Sequence, residues 1–236
     1  MADFDGDGRD DLYTGCFDGG MYVLAGQGAG KFAPPTAMVD KSGSPLRLGQ
    51  FWHHEESHWS AAAGAKFPAE IGIAGAAVDW DADGDLDLIL GSYAGNFYLR
   101  SNLGSAKSPA FATDSTPIEV AGVLLSAGGP HAMPTVADWD GDGRFDLLSG
   151  CDDGAVRLWL NLGAPGTPKF GAPTVLVEPS NKASDAPGLR SQVAVCDFDA
   201  DGRPDLLVGD YRVQKDAAGK NVSHGYVWWY RRLTAP

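Results

Sequence analysis

Residues 138–147 read Asp-Trp-Asp-Gly-Asp-Gly-Arg-Phe-Asp-Leu, and the same pattern occurs four times in this chain. The other copies begin at Asp3, Asp79 and Asp197, so successive copies start 76, 59 and 59 residues apart. Each copy continues into an apolar stretch that ends at a glycine, and then into a second stretch rich in aromatic residues. Self-similarity of this kind is the signature of a repeat architecture, so the repeat decides the fold.

The β-prone stretches of each repeat predict one propeller blade. In the third repeat they are residues 134–137, 146–150, 155–160 and 174–177. Four short strands separated by turns are the content of one blade. The second repeat supplies the same four, whereas the first lacks the strand before its loop and the fourth ends soon after its third strand. A two-sheet sandwich could use such strands, but a regular period with one loop per unit favours radial repetition.

We therefore predict an all-β fold, a β-propeller built from four-stranded blades, with four repeat units in one domain over residues 1–236. The predicted units span about residues 1–40, 71–121, 130–180 and 190–236, with an insertion at 41–70. An arc of four blades exposes the apolar faces of its end blades. A homodimer that completes an eight-bladed ring, or a place in a longer propeller, is therefore expected, and a four-bladed ring is the alternative.

The repeated decapeptide has the spacing of an all-oxygen cation site. Carboxylates at positions 1, 3 and 5 converge when the chain curls, and the glycine at position 6 permits the turn. Position 7 offers its carbonyl oxygen and position 9 closes the shell, an arrangement that suits calcium better than magnesium. The glutamate that an EF-hand has at position 12 is absent from all four copies. One such loop could be a solvated acidic turn, but four copies with glycine in register favour metal binding.

Up to four structural Ca²⁺ ions are therefore predicted. The candidate ligands are Asp3, Asp5, Asp7, Arg9 and Asp11; Asp79, Asp81, Asp83, Asp85 and Asp87; Asp138, Asp140, Asp142, Arg144 and Asp146; and Asp197, Asp199, Asp201, Arg203 and Asp205. Without metal, these carboxylates repel one another at roughly 1 to 4 kcal/mol per close pair.

Composition limits the classes of partner. The net charge is −13, and 26 of the 31 acidic residues are Asp. Nucleic acid is therefore a poor candidate partner, and no apolar run is long enough for membrane insertion. Residues 1–20 carry no signal-peptide pattern. The three cysteines, Cys16, Cys151 and Cys196, are interpreted as buried small hydrophobic residues without a disulfide.

The loops, the Asp-Leu-x-x-Gly that follows in each of the four copies, and the Phe-Gly-Ala-Pro at residues 170–173 resemble the FG-GAP and VCBS-type repeats. The resemblance implies a propeller, usually of seven or eight blades, with calcium in the loop between the first two strands of a blade. It assigns Asp3, Asp5, Asp7 and Asp11, with their counterparts, as side-chain ligands. Members of this family include adhesion proteins, lectins, polysaccharide lyases and many secreted bacterial proteins, so the fold alone does not give the function.

The longer interval between the first two loops contains Phe-Trp-His-His-Glu-Glu-Ser-His-Trp at residues 51–59. His54, Glu55 and His58 fit His-Glu-x-x-His, which on a helix would place two imidazoles on one face for a Zn²⁺ ion with Glu55 as the general base. Residues 61–64 could end such a helix. The alternative is an excursion between blades whose aromatic residues pack on the propeller while the polar ones face water. His131 and His224 could reach the same face, although each alone is typical of a turn.

Two functions follow from these patterns. The first is a calcium-stabilised extracellular module that binds a glycan or a protein. The second is a metal-dependent hydrolase or lyase with catalytic residues His54, Glu55 and His58, and it requires a further metal position with open coordination. Because cytosolic calcium is scarce, the loops predict an extracellular, cell-surface or periplasmic location.

Overall fold

The computed structural model describes residues 1–61, 64–179 and 187–233, and all regular elements in these ranges are β-strands. Four antiparallel sheets are arranged as a four-bladed β-propeller, which confirms the predicted fold class. No helix long and apolar enough to cross a membrane is found in the described residues. The predicted unit ends at residues 180 and 236, and residues 62–63 of the insertion, lie outside them.

The first blade lacks the strand before its loop, as predicted. The strands of this region are β1 (Leu12–Gly15), β2 (Met21–Leu24), β3 (Gly26–Gly28), β4 (Lys31–Phe32) and β5 (Thr36–Ala37). β1, β2 and β5 form the sheet, while β3 and β4 form a small hairpin. In front of the loop, Ala2 makes only an isolated bridge to Asp11.

The insertion forms a β-hairpin, so the helical interpretation of residues 54–58 was wrong. The hairpin consists of β6 (Gln50–His53) and β7 (His58–Ala61), and residues 54–57 form its turn. Two cross-strand pairs stabilise it: the ring centroids of Trp52 and Trp59 are 5.6 Å apart, and those of His53 and His58 are stacked at 4.6 Å. Paired aromatic rings of this kind favour a hairpin over a short helix.

The second and third blades are complete four-stranded sheets, as predicted. Their strands, with a short hairpin between the blades, are β8 (Gly72–Val78), β9 (Asp87–Ser92), β10 (Phe97–Arg100), β11 (Thr116–Pro117), β12 (Glu119–Val120), β13 (Val123–Leu124), β14 (Met133–Ala137), β15 (Asp146–Gly150), β16 (Val156–Trp159) and β17 (Thr174–Val177). The strand orders are β8-β9-β10-β11 and β14-β15-β16-β17, so the two blades have the same up-and-down topology.

The fourth blade contains three blade strands and an extension that the sequence analysis did not predict. Its strands are β18 (Leu189–Cys196), β19 (Asp205–Lys215), β20 (Asn221–His224) and β21 (Val227–Tyr230). The first half of β19 pairs with β18 and β21, whereas its second half pairs with β20 in a protruding hairpin.

The core lies between the blades. Leu88 and Ile89 are adjacent on β9 and fully buried, yet Leu88 packs in the cluster shared with the first blade and Ile89 in the cluster shared with the third. Successive residues of a strand point to opposite faces, so the side chains of one strand pack in two inter-blade interfaces. Each inner blade is therefore apolar on both faces.

The cysteines are free, as predicted, but only Cys151 is buried. Cys16 is half-buried and Cys196 is exposed, which corrects the expectation that all three are core residues. Cys196 ends β18 in the fourth blade, where no described blade covers its side of the sheet.

Candidate functional site: metal loops and an aromatic cleft

The four acidic loops each bring three carboxylates together. In every loop, three side chains offer oxygens that lie within 4.8 Å of one another. The groups are Asp3, Asp5 and Asp11; Asp79, Asp81 and Asp83; Asp138, Asp140 and Asp146; and Asp197, Asp199 and Asp201. Positions 1 and 3 belong to every group, and either position 5 or position 9 supplies the third member. Each loop could therefore hold a metal ion.

The curl of each loop is built by its first aspartate. Asp138 accepts hydrogen bonds from the backbone N–H groups of Asp142 and Gly143, at 3.0 Å each, and the other three loops repeat these two contacts. Gly143 has a φ of 84°, and the position-6 glycines of the other loops have φ values between 84° and 92°. A Cβ at any of them would meet no atom within 4 Å, so backbone conformation alone requires glycine.

The ninth aspartate has a structural role beyond the metal shell. Asp146 is 1% exposed, and its two oxygens accept hydrogen bonds from the backbone N–H groups of Trp139, at 2.9 Å, and Asn161, at 2.8 Å. Asp11 and Asp87 make the same pair of contacts in their blades. The ninth aspartate thus connects the start of each loop to the end of the third strand.

Replacing Asp146 by Ala should destabilise the protein even when no metal is bound. Two buried N–H groups would lose their acceptor, which costs roughly 2 to 4 kcal/mol in the free energy of unfolding. Urea denaturation in excess chelator measures this loss. Asp142→Ala, at an exposed position of the same loop, is the matched control and should cost less than about 1 kcal/mol. Equal losses for the two variants would show that Asp146 has no such role.

Several loop oxygens fit a bound cation because they are buried without a hydrogen-bond partner. These are Asp85 Oδ1, Asp140 Oδ1 and Asp199 Oδ1. Burial is the main cause that raises the pKa of Asp85, and the neighbouring Asp83 and Asp81 raise it further. A cation in the loop would remove this penalty, because it satisfies the orphaned oxygens and neutralises the charges.

The second loop differs from the others at position 7. The other loops have an arginine there, and its guanidinium pairs with the aspartate at position 5, as in the pairs Arg144–Asp142 and Arg203–Asp201. The second loop has Asp85 instead, so it carries five carboxylates and no internal cation. Burial raises the pKa of Asp87, in the same loop, to about 6. The second loop therefore carries the largest uncompensated negative charge of the four loops.

The two histidines of the His-Glu-x-x-His pattern, His54 and His58, contact different acidic side chains rather than a shared site. His54 Nε2 lies 3.4 Å from Asp18 Oδ2, whereas His58 Nδ1 lies 3.4 Å from Glu56 Oε2. In the described residues, the groups of three or more metal-ligating side chains are the four aspartate loops, and none contains a histidine. The geometry on which the zinc hypothesis depended is therefore absent.

An aromatic cleft lies at the other end of the blade strands, away from the loops. Phe17 follows β1, Tyr93 follows β9, and Trp59 comes from the insertion hairpin. These three side chains are 55%, 44% and 43% exposed, respectively. With Gln50 and Ile71 they line a cavity of about 320 Å³. Trp59 was expected to pack on the propeller, but it lines this cleft instead.

His131 lies against two walls of this cleft. Its ring centroid is 4.5 Å from that of Tyr93 and 5.9 Å from that of Phe17, in edge-to-face contacts. The residue is only 3% exposed, and its Nδ1 lies 3.2 Å from Asp152 Oδ1 without a hydrogen bond to either ring nitrogen. Burial, reinforced by Arg190, lowers the pKa of His131. A neutral imidazole therefore supports the two aromatic rings.

The sequence analysis missed Phe17 and Tyr93, although the repeat contains a signal for them. Both stand two residues after the glycine that closes the second blade strand, and Asp152 and Tyr211 occupy the same place in the other two repeats. This position lies at one end of every blade, so its four side chains belong to the same face.

Comparison with known families agrees with the repeat pattern. The family model of the FG-GAP-like repeat matches residues 79–149 and, overlapping them, residues 138–208. The two matches include the last three acidic loops and together cover more than half of the chain. The search of curated proteins found no match to this chain. The chain belongs to the FG-GAP-like repeat family.

Proposed function

We propose that this protein is an extracellular binding module in which calcium in the four loops stabilises the propeller and the aromatic cleft binds a glycan. The observation that carries the proposal is the convergence of Phe17, Tyr93 and Trp59, which come from three separate elements and stay exposed around one cavity. A concave, mainly apolar site with a few polar groups is the usual form of a small-ligand site.

The chemistry of the cleft suits a sugar. The C–H faces of a pyranose ring are apolar and stack on aromatic rings, while its hydroxyl groups need polar partners at the edge. Gln50 supplies an amide in the cavity lining, and its side chain can both donate and accept hydrogen bonds. A protein ligand that inserts an apolar side chain into the same cleft is the second candidate.

The extracellular location rests on the loops. Four divalent ions would change the net charge from −13 to about −5, which is ordinary for a soluble domain. Loops of this kind need calcium at concentrations found outside the cytosol. Calcium would thereby neutralise the clustered carboxylates of the four loops, and the stabilised blades would hold the aromatic cleft at their other end.

Trp59→Ala and Tyr93→Ala should each weaken glycan binding by about tenfold or more, because each removes one stacking surface worth more than about 1 kcal/mol. A glycan array in calcium identifies the ligand, and titration calorimetry then measures the affinities. Leu162→Ala, which removes a side chain that is 65% exposed elsewhere on the propeller, is the matched control. The proposal is wrong if no glycan binds, or if both cleft variants bind as tightly as the control.

A further inference from the structure

Two blades hold a polar residue in a left-handed backbone conformation at the same place. His131 and Arg190 have φ values of 62° and 55°. Each stands two residues before the residue that pairs with the glycine closing the second blade strand, Gly150 or Gly209. Glycine adopts this conformation freely, whereas it is uncommon for other residues and is found most often at functional sites.

Both residues lie on the face of the propeller that carries the aromatic cleft. The backbone N–H of His131 donates to the carbonyl oxygen of Tyr93 at 2.9 Å, and that of Arg190 donates to the carbonyl oxygen of Asp152 at 3.3 Å. Tyr93 and Asp152 are themselves equivalent, since both stand two residues after a closing glycine. The pair of Asp152 and Arg190 therefore repeats the pair of Tyr93 and His131 one blade further on.

A continuous series of contacts joins these two pairs. His131 packs on Tyr93, and its Nδ1 lies 3.2 Å from Asp152 Oδ1. Arg190 Nε donates a hydrogen bond to the same carboxylate oxygen at 3.2 Å, and the guanidinium carbon lies 5.5 Å from the ring centroid of Tyr211. We call Asp152, Arg190 and Tyr211 the charged subsite. One imidazole ring separates it from the aromatic cleft.

The guanidinium of Arg190 is accessible and only partly used. The side chain is 47% exposed, and among the described residues only its Nε donates a hydrogen bond. The two terminal nitrogens thus keep their four N–H groups for a ligand. Their planar, forked arrangement matches the paired oxygens of an anionic group. Tyr211, which is 38% exposed, adds an aromatic surface beside them.

Folding alone does not explain an arginine at this position. An exposed ion pair such as that of Arg190 with Asp152 contributes little to stability, and glycine would adopt the same backbone conformation without strain. The contact with Asp152 instead fixes the direction of the guanidinium, which is what a preorganised binding group requires. The acidic loops lie at the other end of the blades, so an anion at Arg190 does not meet their charge.

We propose that the charged subsite binds an anionic group, a carboxylate or a sulfate, on the sugar residue next to the one that stacks in the aromatic cleft. The ligand is then an acidic glycan. This inference rests on the proposed glycan binding and names the class of glycan. Arg190 holds the anion through its terminal nitrogens, Asp152 orients the guanidinium, and Tyr211 supports the sugar ring.

Titration calorimetry in calcium tests the proposal with three sets of oligosaccharides of equal length: uronic acid-containing, sulfated and neutral. At least one acidic set should bind about tenfold or more tightly than the neutral set, and the comparison identifies the anionic group. Arg190→Gln should remove this preference without weakening neutral binding. Lys169→Gln, which removes the same charge from an exposed residue outside the charged subsite, should retain it.

Arg190→Gly separates ligand binding from folding. Because glycine suits a φ of 55°, this variant should change the melting temperature by less than about 4 °C and still lose the preference for acidic glycans. Equal affinity of the wild type for acidic and neutral glycans would overturn the charged subsite, as would an unchanged preference in Arg190→Gln. If Trp59→Ala still weakened neutral binding in that case, the proposed function would stand. If no glycan of any set bound, both would fall.

Discussion

Excess chelator should lower the melting temperature of this protein substantially, and calcium should restore it more completely than magnesium. Each loop clusters three ligand oxygens, and buried oxygens of Asp85, Asp140 and Asp199 have no hydrogen-bond partner. A ligand that binds only the folded state stabilises it by RT ln(1 + [L]/Kd), so millimolar calcium on micromolar sites adds roughly 4 kcal/mol per site. Differential scanning calorimetry with each cation measures the effect.

The second loop should contribute most to this response. Asp81→Asn removes one carboxylate from that loop and should reduce the calcium-dependent rise in melting temperature, whereas Asp114→Asn, at an exposed aspartate outside the loops, should not. Burial raises the pKa of Asp87 to about 6, so protons compete with the cation below that pH. The calcium response should therefore shrink between about pH 7.5 and about pH 5. An identical melting curve with chelator and with calcium would refute the structural role of calcium.

The blades could be predicted from the sequence because each is encoded by local signals repeated in register. The stretch at residues 174–177 was predicted as a strand and is one, and the first blade lacks the strand that its sequence lacks. Loop glycines, apolar stretches that end at a glycine and four copies of the same loop all indicated the same structure. Agreement between signals at several levels is what makes a fold predictable.

The sequence left two interpretations of the insertion open, because this segment occurs once and has no second copy for comparison. His54 and His58 have the four-residue spacing of a helix face, but Trp52 and Trp59 pair across two strands, and this pairing decides the structure. The sequence pattern also did not indicate that β19 continues beyond the blade. Both departures are non-repeating segments, where pairing between the two strands of a hairpin determines the structure.

The aromatic cleft could be recognised only from the three-dimensional arrangement of its residues. Phe17 and Trp59 are more than 40 residues apart in the sequence, and neither carries a chemical motif. They meet because the blade geometry places the ends of β1 and β9 side by side and the hairpin folds over them. The aspartates of each acidic loop, in contrast, lie within nine residues of one another, and their convergence could be predicted from spacing alone. Local sites are therefore predictable from this sequence, and composite ones are not.

A pair of glycine substitutions should separate a packed inter-blade position from an equivalent uncovered one. Gly150→Ala should lower the free energy of unfolding by about 3 kcal/mol or more, because its Cβ would overlap the carbonyl group of Ser191 in the adjacent blade. These are backbone atoms held within a sheet, so the overlap can be relieved only by moving the fourth blade away from the third.

Gly209→Ala is the matched control, since it places the same methyl group at the same position of the next blade. There the Cβ would meet only Gln192 O, at 3.8 Å, which is an ordinary contact, and neither glycine has a positive φ that would disfavour alanine. Urea denaturation in calcium should show a loss of less than about 1 kcal/mol in the free energy of unfolding. Equal losses for the two variants would show that blade packing does not set the requirement for glycine.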